Sequence, residues 1–206
     1  MTQANITRPF HEKVWNKARY AFSFIYRKQL SLVCQLDYTC PYGERARQLP
    51  SPYTMRSPEK PADLDALAGL LNSDGDFGHW TAERIDRDYL QQLIRPDAAT
   101  LLFHGKDLIG NCGTIDGSSR RHKTGIIMWM IIRTPHRGKG LAKYLWYRTL
   151  NFFAEEHYEK ILLTTDMQRL PAIRFYLRRR LLPGHESLYS YIQWRITAKR
   201  LGSLTC

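Results

Sequence analysis

The spacing of apolar residues along the 206-residue chain switches repeatedly between the period of a helix and that of a strand. Phe10, Val14, Ala18, Ala21, Phe22 and Ile25 recur at helical spacing and predict a helix over Pro9–Tyr26. Leu30, Leu32, Cys34 and Leu36 then alternate, which predicts a strand over Gln29–Tyr38. Five prolines between Thr39 and Pro61 mark a linker or long loop, with room for one short strand near Tyr53–Arg56. Helical spacing returns over Pro61–Leu71 and again over Thr81–Ile94, where Ile85, Tyr89, Leu90 and Leu93 share a face. Three apolar runs joined by short polar turns follow: Thr100–His104, Leu108–Asp116 and Gly125–Ile132. Connections that short imply an antiparallel meander.

Beyond the meander, Leu141–His157 reads as an amphipathic helix and Lys160–Thr165 as a strand, the order expected of a right-handed parallel crossover. A shorter helix is expected over Pro171–Arg180. A last strand is expected over Ser187–Thr197, because Leu188, Ile192, Trp194 and Ile196 fall at even spacing. The fold class is therefore α/β of the α+β kind: an antiparallel meander extended by one parallel crossover strand, with helices on both faces. The proline-rich segment divides a helix–strand extension, residues 1–50, from a main domain, residues 51–206.

Composition narrows the partners more than the fold. The chain holds 31 basic and 19 acidic residues, a net charge of +12, which favours nucleic acid, a membrane surface or a phosphate-bearing cofactor. The four cysteines, Cys34, Cys40, Cys112 and Cys206, form no CxxC pair and stand at no metal-ligand spacing. Reduced thiols and no metal are expected. The N-terminus has no apolar signal core and no run is long enough to span a bilayer, so the expected compartment is cytoplasmic. The GxSxG and HExxH signatures of hydrolases are missing from the sequence.

The chemistry concentrates in Gly125–Ala142, GIIMWMIIRTPHRGKGLA. A buried strand runs through a polar turn into two glycines at a helix start. The first N–H groups of a helix lack partners and glycine lets an anion come close, so this corner is a candidate phosphate cradle. It is not the GxxxxGK[ST] loop of nucleotide triphosphatases. Its place after an antiparallel meander also argues against a dinucleotide fold.

Arg137, Gly140 and Ala142, following a buried strand and preceding a crossover helix, resemble the Q/R-x-x-G-x-G/A signature of the GNAT superfamily of acyl-CoA-dependent N-acyltransferases. The run Ala172-Ile173-Arg174-Phe175-Tyr176-Leu177 is similar to that family's later helix, and the likeness extends over roughly Tyr53–Trp194. The resemblance implies transfer of an acyl group, most simply acetyl, from acyl-CoA to a primary amine on a small molecule or protein. It implies that backbone groups of Met130, Ile131 and Ile132 meet the pantetheine arm and supply the oxyanion donor. The coenzyme A pyrophosphate would rest on Arg137, Gly138, Lys139, Gly140, Leu141 and Ala142. Lys143, Arg174 or Arg178 would reach the ribose phosphate, and Tyr176 would protonate the leaving thiolate.

Three departures from the family pattern stand out. Many relatives carry a glutamate in the strand before the glycine turn, whereas IIMWMII has no ionisable residue. Asp116, His104 and His122 are the alternatives for a base. Arg180-Leu181 replaces a common Gly-Phe, and Arg169 stands where an asparagine is frequent. The acceptor is expected against residues 72–80 and 117–123 and the last strands, with Asp74, Asp76, His79, Trp80 and Tyr189 as lining candidates. A homodimer is compatible with this reading. The alternative function is a non-catalytic module that binds acyl-CoA, or that uses Arg120–Lys123 and Arg178–Arg180 on nucleic acid or a membrane. Such contacts are not favoured, because aromatic residues do not interleave with the basic clusters.

Overall fold

The computed structural model describes residues 29–36, 48–73, 77–184 and 187–202. The helix expected over Pro9–Tyr26, most of the 1–50 extension, and Asp74 and Asp76 lie outside the described residues. The chain forms two compact units, Cys34–Leu163 and Met1–Val33 with Thr164–Cys206.

Strand β1, Gln29–Gln35, opens the described chain. The larger unit then runs through β2 (Tyr53–Arg56), α1 (Leu64–Asn72), α2 (Ala82–Asp88), β3 (Ala99–His104), β4 (Asp107–Asp116), β5 (Thr124–Ile132), α3 (Ala142–Glu155) and the start of β6 (Lys160–Asp166). The expected meander is present. β2 pairs antiparallel with β3 (Thr54↔Phe103), β3 with β4 (Thr100↔Cys112) and β4 with β5 (Thr114↔Ile127). The parallel crossover is present too, as β5 pairs with β6 through Thr124↔Lys160, Gly125↔Ile161 and Ile126↔Leu162.

Alternation along β4 puts a helical layer on each face of this sheet. Asn111 points to α2 and Tyr89, while Cys112 accepts a hydrogen bond from Thr149 of α3 at 3.2 Å. On the first face Leu67, Leu70 and Leu71 of α1 and Ile85 of α2 close over Leu101 and Ile131. On the second, Leu145, Trp146, Leu150 and Phe153 of α3 are buried. Burial pushes the Cys112 thiol up to about 12, so it stays protonated and inert.

Local chemistry sets the helix starts. Thr81 Oγ1 accepts the Arg84 N–H at 3.3 Å and caps α2, which breaks into a 3-10 turn at Leu90–Gln92 short of the expected Ile94. The Asp63 carboxylate precedes α1. It accepts both terminal nitrogens of Arg56 (2.6 and 2.8 Å) and the Glu59 N–H (2.7 Å), tying the helix start to β2.

The smaller unit contains β1 up to Val33, α4 (Leu170–Leu177), β7 (Leu182–Pro183) and α5 (Leu188–Leu201). β1 pairs antiparallel with β7 through Leu32↔Pro183 and Val33↔Leu182. The departure at Arg180-Leu181 is accommodated here. Arg180 takes φ +63°, the left-handed conformation in which a glycine ends a helix without strain. Leu181 is buried, and its N–H returns to the Tyr176 carbonyl at 3.3 Å.

One expectation fails outright: Ser187–Thr197 is not a strand but the first three turns of α5. Ser187 Oγ accepts the Ser190 N–H and Ser190 Oγ accepts the Ser187 N–H, both at 3.1 Å, forming a reciprocal cap. The buried positions Ser190, Gln193, Trp194, Thr197 and Leu201 do follow helical spacing. Three of them are polar, so a search for apolar period misses them and finds the exposed Leu188, Ile192 and Ile196 instead.

The Asp63 anchor gives a test with a defined sign. Arg56 is the main cause holding its carboxyl below the ordinary range, so the folded chain binds fewer protons there than the unfolded one. Its contribution is complete above the ordinary aspartate value of about 3.9 and is lost as pH falls through the lowered value. Asp63→Asn should cost about 2 kcal/mol at neutral pH in urea unfolding, and the gap to the parent should narrow below about pH 4.

Candidate active site

The ladder between β4 and β5 slips once. Asn111 pairs with Ile131 and Gly113 with Met128, so Cys112 alone faces both Trp129 and Met130. This is a bulge of two residues against one, and Trp129 sits in it at φ +51°. A left-handed backbone on a tryptophan costs about 1–2 kcal/mol. The offset is visible in the core. Asn111 Nδ2 donates to the Trp129 carbonyl at 3.0 Å, and Tyr89 Oη donates to Asn111 Oδ1 at 2.9 Å. Gly113 makes room for this chain, because a Cβ there would overlap the Tyr89 ring. Burial raises the Tyr89 hydroxyl far above its usual range, so it remains a donor. The Trp129 ring packs edge-on to Phe77 and Trp80, at centroid distances of 5.4 and 5.0 Å.

On its other edge, β5 meets β6 only as far as Ile126. The two parallel strands therefore part before the bulge. Ile131 is buried in the core and can offer only its backbone. Met130 and Ile132 are half-buried, and the Ile132 carbonyl accepts Arg137 Nε at 2.7 Å. Arg137 thus holds the glycine turn against the end of its own strand. Arg133 secures that end from the β4 side, through its N–H to Ile109 (2.7 Å) and its Nε to Leu108 (3.0 Å).

The turn continues through a 3-10 segment, Thr134–His136, to Gly138 and Gly140, with φ of +76° and +74°. Both glycines face open space, and side chains are strained at those angles. Leu141 is buried and anchors the turn. Helix α3 then starts with no side-chain cap and no acid in its first turn. Among the described residues its first N–H groups thus meet no side-chain acceptor, and they carry the positive end of the helix dipole. Lys139 is exposed in the turn, and Lys143 follows in the first turn of the helix. This donor set fits a pyrophosphate.

A ring cluster beside the turn was not legible in the sequence. Tyr53, His104 and His136 meet there, with 5.0 Å between the histidine centroids and Tyr53 Oη 3.5 Å from His136 Nδ1. Burial first, and then Lys139, lowers the His136 pKa, so the ring is neutral at physiological pH.

Other candidates fall elsewhere. Asp116 lies opposite Gly125 at the start of β5, where its Oδ1 accepts Ser118 Oγ (2.5 Å) and Tyr158 Oη (3.2 Å). His122 pairs with Glu159 at 3.1 Å on an exposed loop, and His104 belongs to the ring cluster. None of the three stands at the bulge. Arg174 donates to the Leu201 carbonyl at 3.0 Å, which ties it to the end of α5. Trp80 is a core residue with its Nε1 on the Phe77 carbonyl at 2.8 Å. The His79 carbonyl accepts Arg84, and Tyr189 lies on α5. Tyr176 is buried on α4, edge-on to Phe175 at 5.5 Å, in the smaller unit. Among the described residues, no cluster of His, Cys, Asp and Glu could hold a metal.

Comparison with known proteins adds to this geometry. The model of the acetyltransferase (GNAT) family matches residues 64–180. A search of the curated proteins found no match. Among solved structures, a GCN5-related N-acetyltransferase from Sphaerobacter thermophilus superposes with TM-score 0.62 at 21% identity, covering 76% of this chain and 48% of that one. The chain thus spans about half the length of that protein. A chain of the NatC complex bound to Gag peptide and CoA matches with TM-score 0.53 at 19% identity, covering 62% and 82%. Glucosamine-6-phosphate N-acetyltransferase from Arabidopsis thaliana matches with TM-score 0.53 at 16% identity, covering 66% and 95%. At these identities the structural likeness establishes the fold.

The network at the bulge should behave as a unit. Tyr89→Phe should lower stability by about 1 kcal/mol and Asn111→Ala by about 3 kcal/mol, because the second leaves the Trp129 carbonyl without a donor. Urea unfolding of the double variant should show no more loss than Asn111→Ala alone; full additivity would mean that the three groups are not coupled.

Proposed function

The chain belongs to the GNAT acetyltransferase family, and from that premise we propose that it moves an acyl group, most simply acetyl, from acyl-CoA to a primary amine. The observation that carries this reading is the course of β5. It parts from β6 after Ile126, bulges at Trp129 and runs into an uncapped, glycine-lined helix start. A thioester bound along that edge would supply an activated carbonyl for direct attack by the amine.

The roles of the residues follow from their chemistry. Backbone N–H groups from Arg137 to Ala142 would hold the pyrophosphate, with Lys139 and Lys143 adding charge. Backbone groups of Met130, Ile131 and Ile132 would pair with the extended pantetheine arm as an added half-strand. A backbone N–H of the same stretch would donate to the oxyanion as it forms. Because Asn111 and Arg133 already fix this stretch, little reorganisation would accompany the reaction. Tyr176 would protonate the departing thiolate, its phenol O–H acting as the general acid.

No side chain between Ile126 and Ile132 can take the amine proton. The reading therefore includes an acceptor that arrives as the free amine or releases its proton to water. The acceptor itself would be a small molecule or a protein amine.

Acetyl-CoA and longer acyl-CoAs should each raise the melting temperature, and one of them should release thiol in the presence of a panel of amines. No stabilisation by any acyl-CoA would sink the reading. Gly140→Glu should abolish the stabilisation by placing bulk and negative charge in the cradle, while the ligand-free melting curve remains cooperative. Tyr176→Phe should lower turnover about 100-fold and spare acyl-CoA binding; full activity would remove Tyr176 from the mechanism.

A further inference from the structure

Helix α5 is inside out. It buries the polar Ser190, Gln193 and Thr197 and exposes Leu188 (76%), Ile192 (46%) and Ile196 (44%). These three aliphatic residues are four apart and form a stripe along one face. Arg195, Lys199 and Arg200 follow Ile192 and Ile196 at three- and four-residue spacing, so they edge the same face. The helix contains no acidic residue. The inversion has a cost within the unit, because both polar atoms of the Gln193 amide are buried with no partner among the described residues.

The charges explain why the helix keeps this orientation. Turning it over would bury the three aliphatic side chains, but it would carry Arg195 and Lys199 into the interior with no carboxylate on the helix to meet them. Burying unpaired cations is far more costly than leaving aliphatic groups in water. The result is an apolar stripe bordered by cations and facing outward. Arg178, Arg179 and Arg180 precede it, with one acid, Glu186, between them and the helix, in a chain of net charge +12.

We propose that this face of α5 docks on a bilayer that contains anionic phospholipid. The stripe needs an apolar phase and its border needs anions, and an acidic membrane surface offers both to a helix lying in its plane. Nucleic acid would neutralise the cations and leave Leu188, Ile192 and Ile196 in water. A second copy meeting this face symmetrically would bring Arg195, Lys199 and Arg200 close to their own counterparts.

The test is cosedimentation of the full chain with vesicles of phosphatidylcholine alone or mixed with phosphatidylglycerol. The protein should pellet with the mixed vesicles only, and less so as salt rises. Ile192→Ser with Ile196→Ser should lower partitioning about tenfold, with an unchanged melting temperature. Arg195→Gln with Lys199→Gln should lower it about fivefold for each charge removed. Failure to bind the mixed vesicles overturns the proposal. So does unchanged binding by the isoleucine variant, which would reveal a general polyanion surface. A drop in melting temperature of the isoleucine variant would also overturn it: with loss of a dimer the face meets a second copy, and in a monomer it is covered by the chain itself.

Discussion

The hydrogen bond from Asn111 Nδ2 to the Trp129 carbonyl is the constraint from which the shape of β5 follows. In a regular antiparallel ladder that carbonyl would take its place in the alternating backbone pattern. Here a buried side chain captures it, and the backbone around it turns left-handed. Without that donor the carbonyl would face an apolar core of leucines, isoleucines and tryptophans, at a penalty of about 1–3 kcal/mol. The captured carbonyl therefore offsets a strain of similar size. The bulge is held from the core side, which leaves the other edge of β5 without a β6 neighbour after Ile126.

This division of labour explains the composition of the strand. A stretch that positions its own backbone needs side chains that pack, and Ile126–Ile132 supplies seven apolar ones. The polar work is displaced to neighbours. Asn111 and Tyr89 hold the bulge, while Arg133 and Arg137 hold the strand end and the turn. Both arginines act on backbone carbonyls, so their charge also adds to the field around the uncapped start of α3. The glycines then complete an arrangement in which backbone amides are the recognising groups, a reason for the site to look almost featureless as a set of side chains.

The sequence was most readable where apolar runs are bounded by polar turns or recur at helical spacing. The meander strands, two of them buried on both faces, show as such runs, the helix of Ala142–Glu155 shows as a helical period, and their ends fall within two residues of the expected positions. The glycine turn was legible because two left-handed positions on either side of Lys139 leave few other residue types available there. The bulge was not legible, since its cause is distributed over Tyr89, Asn111 and Gly113 and its two hydrogen bonds span 18 and 22 residues. The ring cluster of Tyr53, His104 and His136 is still less local: the Tyr53–His136 pair spans 83 residues. At Arg180 the expected signal was replaced, because an arginine there adopts the conformation that a glycine would announce.

Helix α5 and strand β5 mislead a reader for opposite reasons with a common origin. In β5 every side chain from Ile126 to Ile132 is apolar, which hides the fact that the backbone edge is polar and open. In α5 the apolar residues are conspicuous and face outward, while the residues that meet the interior are serine, glutamine and threonine beside Trp194 and Leu201. Hydrophobic patterning assumes that water is the only alternative to the core. It locates β5 but is silent on the bulge and on the edge that is kept apart from β6. It fails in α5 because two cations on the apolar side exclude that side from the interior. In both elements the residue that overrides the pattern is polar and few in number: one asparagine for the strand, an arginine and a lysine for the helix. A pattern of apolar periods is thus a statement about the majority of positions, and the orientation of an element can be set by the minority whose burial or exposure costs the most.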